Sequence, residues 1–326
     1  MEVKTAVVIL NWNGREMMEK FLPSVVEKTS SNEAEVIVAD NGSTDDSVEW
    51  LQAHFPQVKV IEFPENYGFA GGYDRVIRMI DSEYILLLNS DVEVTAGWLE
   101  PLVGFMDATP DAGAVQPKIR AYRNREYFEH AGAAGGLLDC LGYPYCRGRV
   151  MSKVEKDEGQ YDSPEPVEIA WASGAAMLVR RKAYLEAGGL DSDFFAHMEE
   201  IDLCWRMMLK GYKIYVVTVS TVYHYGGGAL PYGNPRKTYL NFRNGLLMLH
   251  KNLPEKEGKR ILFKRRLVDT LAFGFFILKG KFRDAQAVLK AHNDFRRIRR
   301  NYTNFPEKNL LGTIPGSRSS VFKQKH

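Results

Sequence analysis

Four strand-length apolar runs in the first ninety residues constrain this chain most. They are residues 5–10, 35–39, 58–63 and 85–88, and the turn after each carries Asn, Asp or Gly. The stretches between them, such as 17–28 and 70–80, have helical periodicity. Strands alternating with helices in this rhythm give a largely parallel α/β sheet. Open sheets of this kind place their sites outside the carboxyl ends of the strands. The polar stops "NWNG", "DNGSTDDS", "PENYGFAGG" and "NSD" therefore share one edge. "LLLNSDVEV", residues 86–94, poses the sharpest question, because an apolar strand runs straight into a carboxylate. Asn, Ser and Asp are ordinary turn residues, so a solvated cap is one reading. A metal or ligand site is the other.

The later sequence is less regular. Residues 114–119 form another strand, and 121–166 read as long loops or short strands over the site. "VEIAWASGAAMLVRR" reads as strand, turn and strand, and "RKAYLEAGG" as a short helix with a glycine stop. "HMEEIDLCWRMMLKG" reads as an amphipathic helix whose Ile201, Cys204, Trp205 and Met208 share a face. "YKIYVV" and "VSTVYHY" read as two strands, and "GGGALPYGNPRK" as a loop. From Tyr239 the chain reads as helical, with a polar tail after Pro306. The expected division is a domain over 1–250, split at 119/120 into nucleotide and acceptor halves, then a basic helical extension over 251–326.

Composition excludes several classes. At 326 residues, with 45% hydrophobic and 26% charged, the chain can bury a large core. Three cysteines build neither a disulfide framework nor a zinc pattern, so a reducing compartment is expected. No signal-peptide pattern and no apolar run of spanning length stand out, so a cytoplasmic protein is expected. Net charge is only +2, but residues 251–300 hold fifteen Lys or Arg against five Asp or Glu. The tail could pack on the core or lie on an anionic membrane surface. "RRIRR" comes without a nucleic-acid-binding fold signature, so no nucleic-acid partner is expected. The first turn lacks the Gly-x-Gly-x-x-Gly of dinucleotide folds, and there is no P-loop.

Eight motifs carry a resemblance: "VVILNWNG", "VIVADNGSTDDS", "ENYGFAGG", "LLLNSDV", "WASGAAMLVRR", "FFAHMEEIDLCWRMMLKGYKIYVV", "VYHYGGG" and "YLNFRNGLLMLHKNLP". In that order, from Val3 to about Leu253, they resemble glycosyltransferase family 2, of the GT-A nucleotide-sugar fold. They are similar in particular to the rhamnosyltransferase-like members that build bacterial surface polysaccharides. The resemblance implies an inverting transfer of a hexose or deoxyhexose such as rhamnose. The donor would be a nucleotide diphosphate sugar and the acceptor a saccharide or lipid-linked saccharide. It would act in the cytoplasm or peripherally on the inner face of the cytoplasmic membrane.

The resemblance also implies roles for residues. Asp91 matches the second acid of the family's Asp-x-Asp motif, while Asn89 replaces the first. Asp91 and His224 would hold a divalent metal, Mg²⁺ or Mn²⁺. Asn11, Asn13, Asp40 and Asn66 would line the nucleotide with Asn89 and Asp91. Trp171, Ser173 and Gly174 would line donor sugar and acceptor, although Trp171 reads equally as core. Arg236, Lys237 and Arg243 could close on the diphosphate or be helix-face charges. The general base would lie among Glu199, Glu200 and Asp202, with Glu200 in the position where the family carries aspartate. Asp202 could instead brace Arg206 one turn on. Two rivals remain: a non-catalytic sugar-nucleotide binding module, and a sugar-1-phosphate nucleotidyltransferase.

Overall fold

A computed structural model of the chain describes residues 3–30, 32, 34–226, 234–318, 320 and 321. Most of the glycine-rich loop expected at 226–237 lies outside the described residues. The first half alternates strand and helix: β1 Thr5–Asn11, α1 Arg15–Lys28, β2 Ala34–Asp40, α2 Ser47–His54, β3 Lys59–Glu62, α3 Gly68–Met79 and β4 Tyr84–Leu88. Next come β5 Val92–Val94, α4 Glu100–Ala108 and β6 Ala112–Ala121. A small antiparallel sheet follows, made of β7 Gly136–Leu138, β8 Pro144–Cys146, β9 Arg149–Val150 and β10 Lys153–Val154. The main sheet resumes with β11 Val167–Ile169 and β12 Ala176–Arg180. Then come α5 Arg181–Glu186, α6 Glu199–Leu209, β13 Lys213–His224, and the helices α7 Pro235–Asn252, α8 Glu255–Leu278 and α9 Phe282–Ile298.

The main sheet runs β11-β13-β6-β12-β4-β1-β2-β3, with β5 also pairing β13. β1 to β4 are parallel, as their apolar runs require, and all five residues of β4 are buried. Alternate side chains feed two cores. Ala6, Val8, Ile85 and Leu87 go to one face, and Val7, Ile9, Leu86 and Leu88 to the other. The second half of the sheet is mixed, because β12 runs antiparallel between β4 and β6. The two strands expected over 212–225 are one strand. Its register on β6 jumps between Val217 and Thr221, a bulge that explains the break in the pattern. Beyond the bulge, His224 lands opposite Val92, one residue from Asp91.

Residue 250, the expected domain boundary, falls inside α7. The helices beyond it are tied to the sheet domain by polar contacts. Lys251 Nζ lies 3.0 Å from Asp202 Oδ2, Asn252 donates to Asp202 Oδ1 at 2.8 Å, and the Tyr302 hydroxyl lies 2.7 Å from Asp193. Among the described residues, no helix is long and apolar enough to cross a membrane.

Candidate active site

The parallel register sets Asn11 beside Asp40 at the ends of β1 and β2. Both are buried, and Asn11 Nδ2 donates to Asp40 Oδ1 and to Ser47 Oγ, each at 2.9 Å. Asp40 Oδ2 accepts from Ser43 N at 2.9 Å, so this aspartate does cap its own turn. Asn13 is left-handed, with φ 49°, and its Oδ1 accepts from Thr44 N at 2.7 Å. Asn66 Oδ1 accepts from Gly68 N at 2.8 Å and from Asn41 Nδ2 at 3.0 Å. The strand-end amides thus hold one another and leave a rigid rim. Asn11 Oδ1 is buried there without a protein partner.

Asn89 and Asp91 occupy the turn between β4 and β5. Asp91 Oδ1 lies 3.0 Å from His224 Nε2, and Asn89 Nδ2 is 3.3 Å from the same nitrogen. Behind the ring, Glu129 Oε2 lies 3.5 Å from His224 Nδ1. All three charged groups are buried. Burial works against a charged imidazole, but the Asp91 and Glu129 carboxylates win and raise its pKa to about 10. Burial likewise opposes ionised Asp91, and the imidazolium overcomes it, holding the carboxyl below its ordinary value. A carboxylate oxygen and an imidazole nitrogen converging at one point, with a second carboxylate on the far ring nitrogen, is the donor set of a carboxylate–histidine metal site. It is a partial cage: no group of three or more candidate side chains gathers around one point among the described residues. That fits a small hard cation that also takes substrate phosphate oxygens and water.

The third component is the start of α6. Phe195, His197 and Met198 precede it with φ of 63°, 68° and 72°, left-handed values costly for residues with side chains. What holds them there is visible. Asn244 Nδ2, from α7, reaches the carbonyls of Phe194, Ala196 and His197 at 3.0, 2.9 and 2.7 Å. Arg243 Nη2 adds Asp193 O and Phe194 O at 2.8 Å, and Phe69 N donates to Phe195 O at 2.9 Å. The loop delivers two adjacent glutamates, each with its Oε2 buried and without a partner. Burial pushes Glu200 up to about 7, even against the helix-start N–H groups that favour its ionised form. Burial and the neighbouring Glu200 raise Glu199 well above its ordinary value. Gly174 connects this element to the Asp91–His224 pair. A Cβ placed there would lie 3.9 Å from Glu200 Cβ, and the next carbonyl, Ala175 O, accepts from Asn89 N at 3.0 Å.

Four of the expected residues are occupied elsewhere. Asp202 is fully buried, with Arg206 Nη2 at 2.8 Å as well as Lys251 and Asn252. Trp171 is 3% exposed, and its Nε1 donates to Leu137 O at 2.9 Å, so its faces are core. Ser173 is buried, and its hydroxyl donates to Ala131 O at 2.9 Å. Arg243 is likewise spent on loop carbonyls. Sequence reasoning missed Glu129, Asn41 and Asn244. Asn41, the residue after Asp40 at a strand end, and Asn244, inside the motif "YLNFRNGLLMLHKNLP", had a signal, and Glu129 had none.

Comparison with known proteins identifies the family and the fold. The family model described as glycosyl transferase family 2 matches residues 6–185. An N-acetylglucosaminyl-diphospho-decaprenol L-rhamnosyltransferase of Mycobacterium tuberculosis is 27% identical over 235 residues, 67% of this chain and 75% of that protein. Rhamnosyltransferase WbbL of Escherichia coli is 25% identical over 167 residues, 51% of this chain and 61% of that one. Among solved structures, S. aureus TarS 1–349 in complex with UDP-GlcNAc superposes with a TM-score of 0.59 at 17% identity, covering 90% of this chain and 80% of that chain. GalNAc-T7 with UDP, GalNAc and Mn²⁺ gives 0.60 at 18%, covering 76% and 48%. At these identities the two structures speak for the fold.

Proposed function

The chain belongs to glycosyltransferase family 2, and from that premise we propose that it is an inverting, metal-dependent glycosyltransferase. It moves a sugar, with rhamnose the first candidate, from a nucleotide diphosphate donor to a lipid-linked saccharide at the cytoplasmic face of a membrane. One observation carries this reading: Glu200, with a pKa pushed to about 7 and its Oε2 buried without a partner, packs beside Gly174, whose neighbour Ala175 is hydrogen-bonded to Asn89 next to the Asp91–His224 pair. Rhamnosyl transfer to a diphospho-lipid is what the Mycobacterium tuberculosis relative's name describes.

Each residue then has a task. Asn11, Asp40 and Asn66 shape the rim against which the nucleotide lies. Asp91 and His224 would hold Mg²⁺ or Mn²⁺, with Glu129 fixing the imidazole through Nδ1; when bound, the cation supplies a Lewis acid for the departing diphosphate. Glu200 accepts the proton of the acceptor hydroxyl as that oxygen attacks the anomeric carbon. A base whose pKa lies near the working pH suits this step. Displacement from the face opposite the diphosphate inverts the anomeric centre. Burial and the neighbouring Glu200 favour the protonated form of Glu199, which leaves Glu200 as the proton acceptor.

The test is turnover with defined substrates. Purified chain, Mn²⁺ and a panel of nucleotide diphosphate sugars should give a glycosylated lipid-diphosphate saccharide and free nucleoside diphosphate, with the anomeric configuration inverted by NMR. Donor binding without turnover across the panel would identify a binding module instead. Synthesis of the sugar nucleotide from a nucleoside triphosphate would identify a nucleotidyltransferase.

A further inference from the structure

Helix α8 is built inside out. Its inward face carries Arg265 and Asp269, only 3% and 1% exposed, with Tyr143 and His292 hydrogen-bonded to Asp269 at 3.1 and 3.0 Å. Its outward face carries large apolar side chains. Phe263, Leu267, Leu271, Phe275 and Leu278 are spaced by four, four, four and three residues, so they form one stripe along the helix. They are 63%, 54%, 74%, 55% and 87% exposed, and Phe282, at the start of α9, continues the surface at 61%. Scattered exposed leucines need no explanation, but a continuous row of them opposite a buried ion pair does. No described residue covers it.

Charge says what would. From Lys256 to Arg283 there are nine Lys or Arg and only two acids, Glu257 and Asp269, and Asp269 is the buried one. Lys264 and Arg266 lie at one end of the stripe, and Lys279, Lys281 and Arg283 at the other, all exposed. Between the two groups the helix runs about 18 Å at 1.5 Å per residue, too short to span a bilayer. An apolar row bracketed by cations whose stems can lie along acyl chains matches the boundary between headgroups and hydrocarbon.

We infer that the outward face of α8, continued by Phe282, is a docking surface for an anionic lipid bilayer, into which the stripe inserts while the flanking Lys and Arg engage lipid phosphates. The inference deepens the transfer reading by placing the site at the surface where a lipid-linked acceptor resides. Its physical basis, the stripe and its charges, is independent of that reading.

Vesicle flotation of the full chain tests it, with vesicles that contain no acceptor lipid, so that the outcome does not depend on catalysis. The chain should float with phosphatidylglycerol vesicles at low salt and far less with phosphatidylcholine vesicles. The double substitution Leu271→Ser and Phe275→Ser should weaken binding by roughly tenfold or more. It should leave the circular dichroism spectrum and transfer to a water-soluble acceptor analogue unchanged. Lys279→Glu with Lys281→Glu should abolish the preference for anionic lipid. A full chain that ignores anionic vesicles at low salt overturns the inference, as does a double Ser variant that binds like wild type. If the Ser substitutions instead dissolve a dimer in sedimentation, with no vesicle binding by wild type, the stripe belongs to a second copy of the chain.

Discussion

His224 Nε2 lies 3.0 Å from Asp91 Oδ1, although the two residues are 133 positions apart and belong to different halves of the sheet. The bulge in β13 brings them together. If this pair holds the cation, Asp91→Ala abolishes transfer, and no excess of Mn²⁺ restores it. Glu129→Gln is the more telling variant, since Glu129 lies behind the ring, on the Nδ1 side away from Asp91. It should weaken Mn²⁺ binding by about 10–100-fold, the usual worth of a carboxylate behind a ligating histidine. Manganese titration followed by electron paramagnetic resonance measures this directly. Unchanged affinity in Glu129→Gln would mean that His224 is a structural ion-pair partner.

Glu200→Gln retains shape but cannot accept a proton. Its kcat should fall by roughly 10² to 10⁴ while the donor Kd stays as in wild type. Single-turnover kinetics and calorimetric donor titration separate the two quantities. Near-wild-type turnover would remove Glu200 from the mechanism.

The same residue predicts opposite pH trends for activity and stability. Burial raises the Glu200 carboxyl from its ordinary 4.5 to about 7, so wild-type transfer should climb as pH rises through 7. The folded chain therefore holds a proton that the unfolded chain releases near 4.5. That contribution to stability is full below 4.5 and is lost as pH rises through 7. Glu200→Gln should lack the activity limb and gain on the order of 1–3 kcal/mol over wild type at pH 8. Urea titrations of both proteins at pH 5 and pH 8 provide the comparison. A wild-type profile flat between pH 6 and pH 8 would count against a base with this pKa.

Asp202→Asn should behave differently from both. Its carboxylate neutralises Arg206 and Lys251 in a site closed to water, and removing it leaves those cations undercompensated. Breaking one side of a buried ionic cluster costs about 3 kcal/mol or more. Loss of stability in chemical denaturation should precede any loss of kcat measured well below the midpoint. A stable Asp202→Asn with no activity would move the base to this position.

Asn244→Ala should release the left-handed run before α6. Its amide is the common donor to three loop carbonyls, and side chains at positive φ return to ordinary backbone angles once unheld. We expect a kcat lowered by tenfold or more with donor affinity preserved, roughly 1.4 kcal/mol in the barrier. Asn244→Asp, which cannot donate, should be no better than Ala. Full activity in either variant would show that Arg243 alone suffices to hold the loop.

The sheet was legible because strands buried on both faces are continuous apolar runs, and because each one ended in residues that make turns. The opening "LLLNSDVEV" belonged to that pattern, and so did the i,i+4 pairing of Asp202 with Arg206. What escaped was whatever depended on contacts far along the chain. Glu129 is one acid in a stretch without period, and nothing local shows that it backs a histidine 95 residues later. Trp171 could be core or platform until the Leu137 carbonyl was seen to take its N–H. The β13 bulge mimicked a strand break, since three residues leave the alternation without leaving the strand.

The ties from Lys251, Asn252 and Tyr302 to the aspartates around α6 have a practical consequence for anyone who would cut or graft this chain. A truncation at residue 250 would not separate an enzyme from its tail. It would sever α7 within its last turn and strip the cations and amides that keep the acidic helix start in place. Exchange of C-terminal extensions between relatives should therefore fail at this junction, and succeed only where the donor segment brings its own counterparts to Asp193 and Asp202.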